Sequence, residues 1–263
     1  MNETAMNDTN RANVGELDAE RIQREKEFHN HRFTEETRIH QKKYYQAIRH
    51  CTERYLRLVA EKAVGADVLE YGCAKGDRSL GLAPSAKSVK GIDISDDAIA
   101  QGNAAAAAAG LNNAQFMVMN AEAMTFPDQS FDLVFGSGII HHLHVERSLT
   151  AVRRVLRPGG VAIFCEPLGH NVLINRYRDR TPDARTPDEH PLMRADFVVA
   201  QRIFGGGKVT YYGLTSLGAV FLAKTPLGGL AMGFARALDS VLLSLPVLRW
   251  QAWYTLIEWQ RRN

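Results

Sequence analysis

Val68-Leu69-Glu70-Tyr71-Gly72-Cys73-Ala74-Lys75-Gly76-Asp77 reads as a buried strand that ends in a glycine turn and runs into a helix. Aliphatic residues enter the strand and Glu70 stands at its carboxyl end. Gly72 and Gly76 let the backbone approach a ligand that a Cβ would exclude, which is the arrangement of a nucleotide-type site. Tight strand-to-helix turns also use glycine merely to fold, so the turn alone leaves both readings open.

The residues that follow form a series of strand ends, each with a polar or small residue where a nucleoside would need one. Lys90-Gly91-Ile92-Asp93 is the second. Asp93 falls about twenty residues after Gly72, where the second strand of a βαβ unit places a carboxylate against ribose hydroxyls. Met117 to Glu122 is the third strand end, and Phe131 to Gly138 the fourth. Ser95 is an N-cap candidate for a helix over 95–109, with Asp96 and Asp97 in the first turn and Gly110 ending the alanine run. A helix over 144–156 is expected to stop at Arg157-Pro158-Gly159-Gly160, and 161–165 to form the fifth strand. A Gly-x-Gly-x-x-Gly dinucleotide turn would need glycine where Ala74 and Asp77 stand, which disfavours an NAD dehydrogenase.

Taken together, Glu70 to Gly76, Gly91 to Asp93, Asn120 to Glu122, Phe131 to Val134 and Arg157 to Gly160 resemble, in order, the motifs of class I S-adenosylmethionine (SAM)-dependent methyltransferases of the small-molecule, type 11-like group. The resemblance covers about residues 66–167. It implies an α/β fold: a Rossmann-like, seven-stranded, mostly parallel sheet with helices on both faces and an antiparallel last strand. It also implies SAM as cofactor. Glu70 would organise the methionine amino end through the turn, with backbone contacts from Gly72 and Gly76. Asp93 would accept both ribose hydroxyls and Ile94 pack on the adenine. Asn120, where the family usually has aspartate, would accept from the exocyclic amine as a neutral group. Ala121 would offer its N–H to the ring, beside Glu122, and Ser137 would face the methionine portion. An N-terminal helix often offers a tyrosine over the pocket in this group, which makes Tyr44 and Tyr45 candidates beside a simple packing role. Ala74 replaces the family's middle glycine.

A sulfonium methyl is already electrophilic, so no metal is expected to be needed, and the protein's task is to hold the donor and align the acceptor. His141 and His142, after the fourth strand, are the candidates for a base that takes a proton from a hydroxyl acceptor, and equally for residues that only shape the pocket. His170 and His190 are weaker candidates. His29 and His31, two apart, fall on different faces of a helix and suit a metal poorly. The expected function is methyl transfer to a small, hydrophobic organic acceptor, O-methylation being favoured over C- or N-methylation. A SAM-fold protein that binds a partner or a membrane surface without turnover is the alternative.

The 263 residues, 45% hydrophobic and 23% charged, suit one α/β domain with caps. The expected parts are a disordered 1–15, an N-terminal helical cap over 16–62, a SAM-binding core over 63–167, and a C-terminal part over 168–263. That last part carries a polar, proline-interrupted lid loop over 168–206, a sixth strand over 209–212 and an apolar helical insertion over 213–248. A seventh strand over 252–259 competes with a helix. A net charge of +3, with the basic residues dispersed, gives no sign of a nucleic-acid partner. The first residues lack the apolar run of a signal peptide, and Cys51, Cys73 and Cys165 are isolated, which fits reduced thiols and a cytoplasmic protein. No apolar run in 213–248 reaches the roughly 18 residues of a membrane span. Core packing, an acceptor pocket, a homodimer contact and peripheral membrane contact all remain open for it.

Overall fold

The computed structural model describes residues 18–28, 30, 45–181, 186 and 188–262. The expectations for residues 1–15, for His29, His31, Phe33 and Tyr44, and for 182–185 of the lid loop lie outside the described residues.

Seven strands are present: β1 (Asp67–Tyr71), β2 (Ser88–Asp93), β3 (Ala114–Val118), β4 (Phe131–Ser137), β5 (Leu156–Pro167), β6 (Gly207–Tyr212) and β7 (Tyr254–Gln260). They form one sheet in the order β3-β2-β1-β4-β5-β7-β6. β1 to β5 pair in parallel, and β7 lies antiparallel between β5 and β6. The central strands read as nearly continuous apolar runs because both faces are covered. Leu69, Tyr71, Val134, Ala162, Phe164, Ile257 and Trp259 enter one core cluster. Val68, Leu133, Phe135, Ile163, Cys165 and Leu256, the alternate residues of the same strands, enter the other.

Each face is covered by a helix whose apolar stripe the sequence carries. In the helix Arg49–Ala63 the residues Cys51, Tyr55, Val59 and Ala63 are buried, a four-residue repeat that keeps them on one side. The helix Val145–Val155 buries Val145, Leu149 and Val152 against the opposite face. The expected cap at Ser95 is present, its hydroxyl accepting from the Ala98 N–H at the start of the helix Asp96–Ala108.

Two boundaries differ from expectation. Arg157–Gly160 does not simply end a helix; it lies within β5, which starts at Leu156 and shifts register against β4 between Phe131 and Leu133. The segment 168–206 is not a long irregular loop either, since it contains the helices Val172–Asp179 and Arg194–Phe204. The latter buries Ala200 and Phe204, and Phe204 stacks on Trp259 at 5.4 Å. Proline spacing masked these short helices, because the prolines fall between them rather than inside.

At the carboxyl end of β1 the chain turns through three left-handed residues: Gly72 (φ +74°), Ala74 (φ +49°) and Gly76 (φ +74°). Gly76 is constrained twice. Besides its φ, a Cβ there would lie 2.2 Å from the ring of Phe116, a buried residue of β3. Gly76→Ala is therefore expected to destabilise the fold by about 2–3 kcal/mol, combining left-handed strain with overpacking. That is a fall in Tm of roughly 5–10 °C for a domain of this size. A melting temperature within about 1 °C of the parent would show that Phe116 does not seal the turn.

Candidate active site

The carboxyl ends of β1 to β5 meet along one edge of the sheet, where ligands bind in open α/β folds. Glu70 is 1% exposed. Its Oε2 accepts from the backbone N–H and the hydroxyl of Ser79 at 3.2 and 2.7 Å, and its Oε1 lies 3.5 Å from Arg78. The carboxylate thus holds the helix Asp77–Leu82 against the turn. Burial pushes its pKa up to about 7, opposed by the Ser79 bonds and Arg78.

Asp93 ends β2. Its Oδ2 accepts from the Ala74 N–H at 2.8 Å and its Oδ1 from the Ser95 N–H at 3.0 Å. Each oxygen keeps acceptor capacity for one more donor, so the residue fits a pair of ribose hydroxyls. Ala74 preserves the left-handed conformation that the expected glycine would have taken. Ile94 is half-buried beside Asp93. Gly138 (φ +67°), after β4, faces open space in which a Cβ would meet only the His141 ring, at 3.6 Å; Ser137 precedes it and is half-buried.

Four expected cofactor positions carry other contacts. The Asn120 side-chain oxygen accepts from the Glu122 N–H at 2.9 Å, capping the short turn Ala121–Ala123; this is the role aspartate and asparagine play in local turns. Glu122 turns its carboxylate to Arg21 (2.6 Å) and to the His144 N–H (2.9 Å). Tyr45 stacks on Trp253, ring centres 5.7 Å apart, which places it near the end of β5, two strands from the glycine turn. Ala121 is buried, and its carbonyl accepts from the Tyr71 hydroxyl at 2.7 Å.

The His141-His142 pair is buried, 6% and 8% exposed, with ring centres 4.2 Å apart. Glu166, wholly buried at the end of β5, holds it. Its Oε1 accepts from the N–H groups of Ile139 and Ile140 at 3.0 and 3.2 Å, and its Oε2 lies 2.7 Å from His141 Nδ1. A carboxylate can only accept, so Nδ1 carries a proton and donates it to Glu166. Nε2 lies 3.8 Å from Glu189 Oε1, and His142 Nδ1 lies 3.2 Å from Glu25 Oε2. Ligand-type atoms of His141, His142 and Glu189 fall within 4.8 Å of one another, the one group among the described residues spaced to hold a cation. His190 and His170 stand outside this arrangement. His190 pairs with Asp196 at 3.2 Å while its N–H donates to the His141 carbonyl, and His170 packs on Trp250.

The sequence reading missed Glu166, although a carboxylate following the apolar run Val161–Cys165 was the available signal, since buried charge in such a strand requires partners. The helix over 18–28 lies within the helical cap expected over 16–62, but its partners were not anticipated. That helix crosses the strand ends through Arg21 to Glu122 and the His142 carbonyl, Arg24 to Asp188, Lys26 to Asp96, and Asp18 to Arg147.

Residues 68–160 match the family described as methyltransferase domain. Aklanonic acid methyltransferase DauC of Streptomyces sp. (strain C5) is 35% identical over 114 residues, 42% of this chain and 52% of that protein. A demethylmenaquinone methyltransferase of Bacillus cytotoxicus is 33% identical over 109 residues, 39% of this chain and 45% of that protein. The chain thus spans about half the length of these curated relatives. Among solved structures, geranyl diphosphate C-methyltransferase from Streptomyces coelicolor A3(2) superposes with a TM-score of 0.57 at 13% identity, over 84% of this chain and 83% of that one, a likeness of fold. With the sheet order and the turn described above, these matches place a SAM-dependent methyltransferase domain of the class I type over residues 68–160. The matched stretch runs from β1 into β5, the part that builds the cofactor side of the site.

Two outcomes test the site. An acid whose folded pKa is raised from 4.5 to about 7 keeps its proton in the folded chain while the unfolded chain has lost it. Stability therefore falls as pH rises from 4.5 to 7. Glu70→Gln removes this component; measured by urea unfolding, the variant is expected to gain on the parent by up to about 3 kcal/mol between pH 4.5 and pH 8. A pH-independent difference would mean that Glu70 is ionised throughout. For the ribose, Asp93→Ala is expected to weaken SAM binding by about ten- to a hundredfold, or roughly 1.5–3 kcal/mol, in calorimetry at a temperature where the variant is folded. Unchanged affinity would remove Asp93 from the cofactor site.

Proposed function

We propose that this protein transfers a methyl group from SAM to a small organic acceptor bearing an ionisable hydroxyl, with His141 as the general base. The observation that carries this reading is the buried Glu166–His141 pair at 2.7 Å, one turn beyond the strand end that carries Ser137 and Gly138. When bound, SAM supplies an electrophilic methyl on a sulfonium. Glu166 fixes the imidazole through Nδ1, and Nε2 takes the hydroxyl proton as the acceptor oxygen forms its bond to the methyl carbon. The carbon–sulfur bond breaks with its electron pair moving to sulfur, leaving S-adenosylhomocysteine and the methyl ether. The proton then leaves the imidazole for solvent; Glu189, near Nε2, is the nearest carboxylate to pass it on.

Support for an apolar acceptor comes from the residues around the histidines. Ile140 belongs to the buried core cluster, and Ile139 and Leu143 pack against it, so an unpaired charge brought there would be penalised. The insertion over 213–248 no longer supplies that argument. Phe221 and Leu230 within it are 64% and 74% exposed. The relatives named for aklanonic acid and demethylmenaquinone fit a small organic acceptor.

The test is S-adenosylhomocysteine formation with a library of phenolic, enolic and amine acceptors, comparing the parent with His141→Ala and Glu166→Gln. The hydroxyl acceptors are expected to turn over, and both variants to lose about 10²–10⁴ in kcat while SAM affinity stays within about threefold. A raised apparent pKa in the pH–rate profile of parent relative to Glu166→Gln would mark the carboxylate's effect on the imidazole. Full turnover in both variants would exclude a histidine base.

A further inference from the structure

The helix Gly228–Leu242 has two apolar sides. Its inner side buries Gly228, Met232 and Ala235 with Ala47, Ile174, Leu217 and Val220. The opposite side carries Leu227, Leu230, Phe234, Leu238 and Val241, spaced by three and four residues into a single stripe. Leu230 and Phe234 are 74% and 73% exposed, and Leu245 and Val247 extend the stripe past the helix end. An outward helix face normally carries charge, yet this one has none between Lys224 and Arg249 except Arg236 and Asp239, and neither belongs to the stripe. Arg236 is half-buried. Asp239, the only acid in 213–250, is 6% exposed and turned inward, accepting from Ser216 Oγ at 2.7 Å and from the N–H groups of Leu214 and Thr215. Burying the one acid leaves a surface that is apolar and cationic only.

A second element contributes. The helix Val172–Asp179 packs Ile174 into the same cluster, exposes Val172 and Leu173 and presents Arg176 one turn on. Exposed large apolar side chains gathered on two neighbouring helices mark an interaction site.

We propose that this face docks the protein on an anionic lipid surface, with the helix Gly228–Leu242 lying in the plane of the headgroups. Charge favours that occupant. Exposed Lys224 at one end of the stripe and exposed Arg176 on the second helix would meet phosphate groups, while an isologous pairing of two copies would bring like charges together with no exposed acid in 213–250 to neutralise them. Arg249 is half-buried, its guanidinium over the Tyr211 and Trp250 rings. Insertion is shallow, as for an interfacial helix, since no helix among the described residues is long and apolar enough to cross a membrane. Docking of this kind does not depend on which reaction the site performs.

The experiment is sedimentation of the full chain with vesicles of phosphatidylcholine, with and without one-third phosphatidylglycerol. The parent is expected to pellet with the anionic vesicles at least about tenfold more than with the neutral ones, and to be released by high salt. Leu230→Glu combined with Phe234→Glu is expected to abolish pelleting with an unchanged melting temperature, these side chains being outside the core. Because the native cysteines are buried, Leu230→Cys can be labelled with an environment-sensitive fluorophore, whose emission should shift to the blue on adding anionic vesicles. A parent chain that stays in the supernatant, a label that does not shift, or a dimer in solution that the double variant dissociates without any vesicle binding would each overturn the proposal.

Discussion

The bond from the Ala74 N–H to the Asp93 carboxylate, 2.8 Å long, is the constraint on which the site depends. It fastens the turn after β1 to the end of β2, and with the Ser95 N–H on the other oxygen it fixes the carboxylate as well. Glu70 completes the lock from beneath by holding Ser79. A left-handed alanine costs roughly 1–2 kcal/mol. The charge-assisted bond to Asp93 is of the size that offsets it, which explains how Ala74 holds a left-handed conformation.

Local signals were legible in the sequence where one segment decides its own shape. The glycine turn, the Ser95 cap and the apolar runs of β1, β4 and β5 are of this kind, because strand burial on both faces and helix capping leave marks on neighbouring residues. The strand character of β7 was anticipated from its aromatic and β-branched residues, against a competing helix, and its antiparallel direction from the family resemblance. Contacts between distant segments were not legible. Nothing near Glu122 announces Arg21, 101 residues away, and nothing near His141 shows that Glu166 will face it. Asn120 illustrates the same limit at short range: its type suited both a ligand contact and an Asx turn, and the structure uses its oxygen for the turn. The insertion over 213–248 was apolar enough for a core, but composition cannot say which side of a helix meets protein.

Electrostatics divides the molecule unevenly. The sheet is held by apolar burial, whereas the helix over 18–28 is tied across the strand ends by ion pairs to Glu122, Asp188, Asp96 and Arg147. Exposed pairs of this type are worth little singly and are screened by salt. Ionic strength therefore acts on the cover of the site more than on the fold beneath it.

The position of β7 has a consequence for how the molecule is made. Residues 254–260 supply a strand that sits inside the sheet, pairing Val161–Pro167 on one side and Gly207–Tyr212 on the other. Until residues 254–260 leave the ribosome, β5 is consequently an open edge and β6 has no place in the sheet. The five parallel strands can assemble as the chain emerges, but the fold closes only with the last element, after nearly a hundred residues of waiting. Until then the exposed strand edge is the point at which a nascent chain would recruit a chaperone or pair with a neighbour.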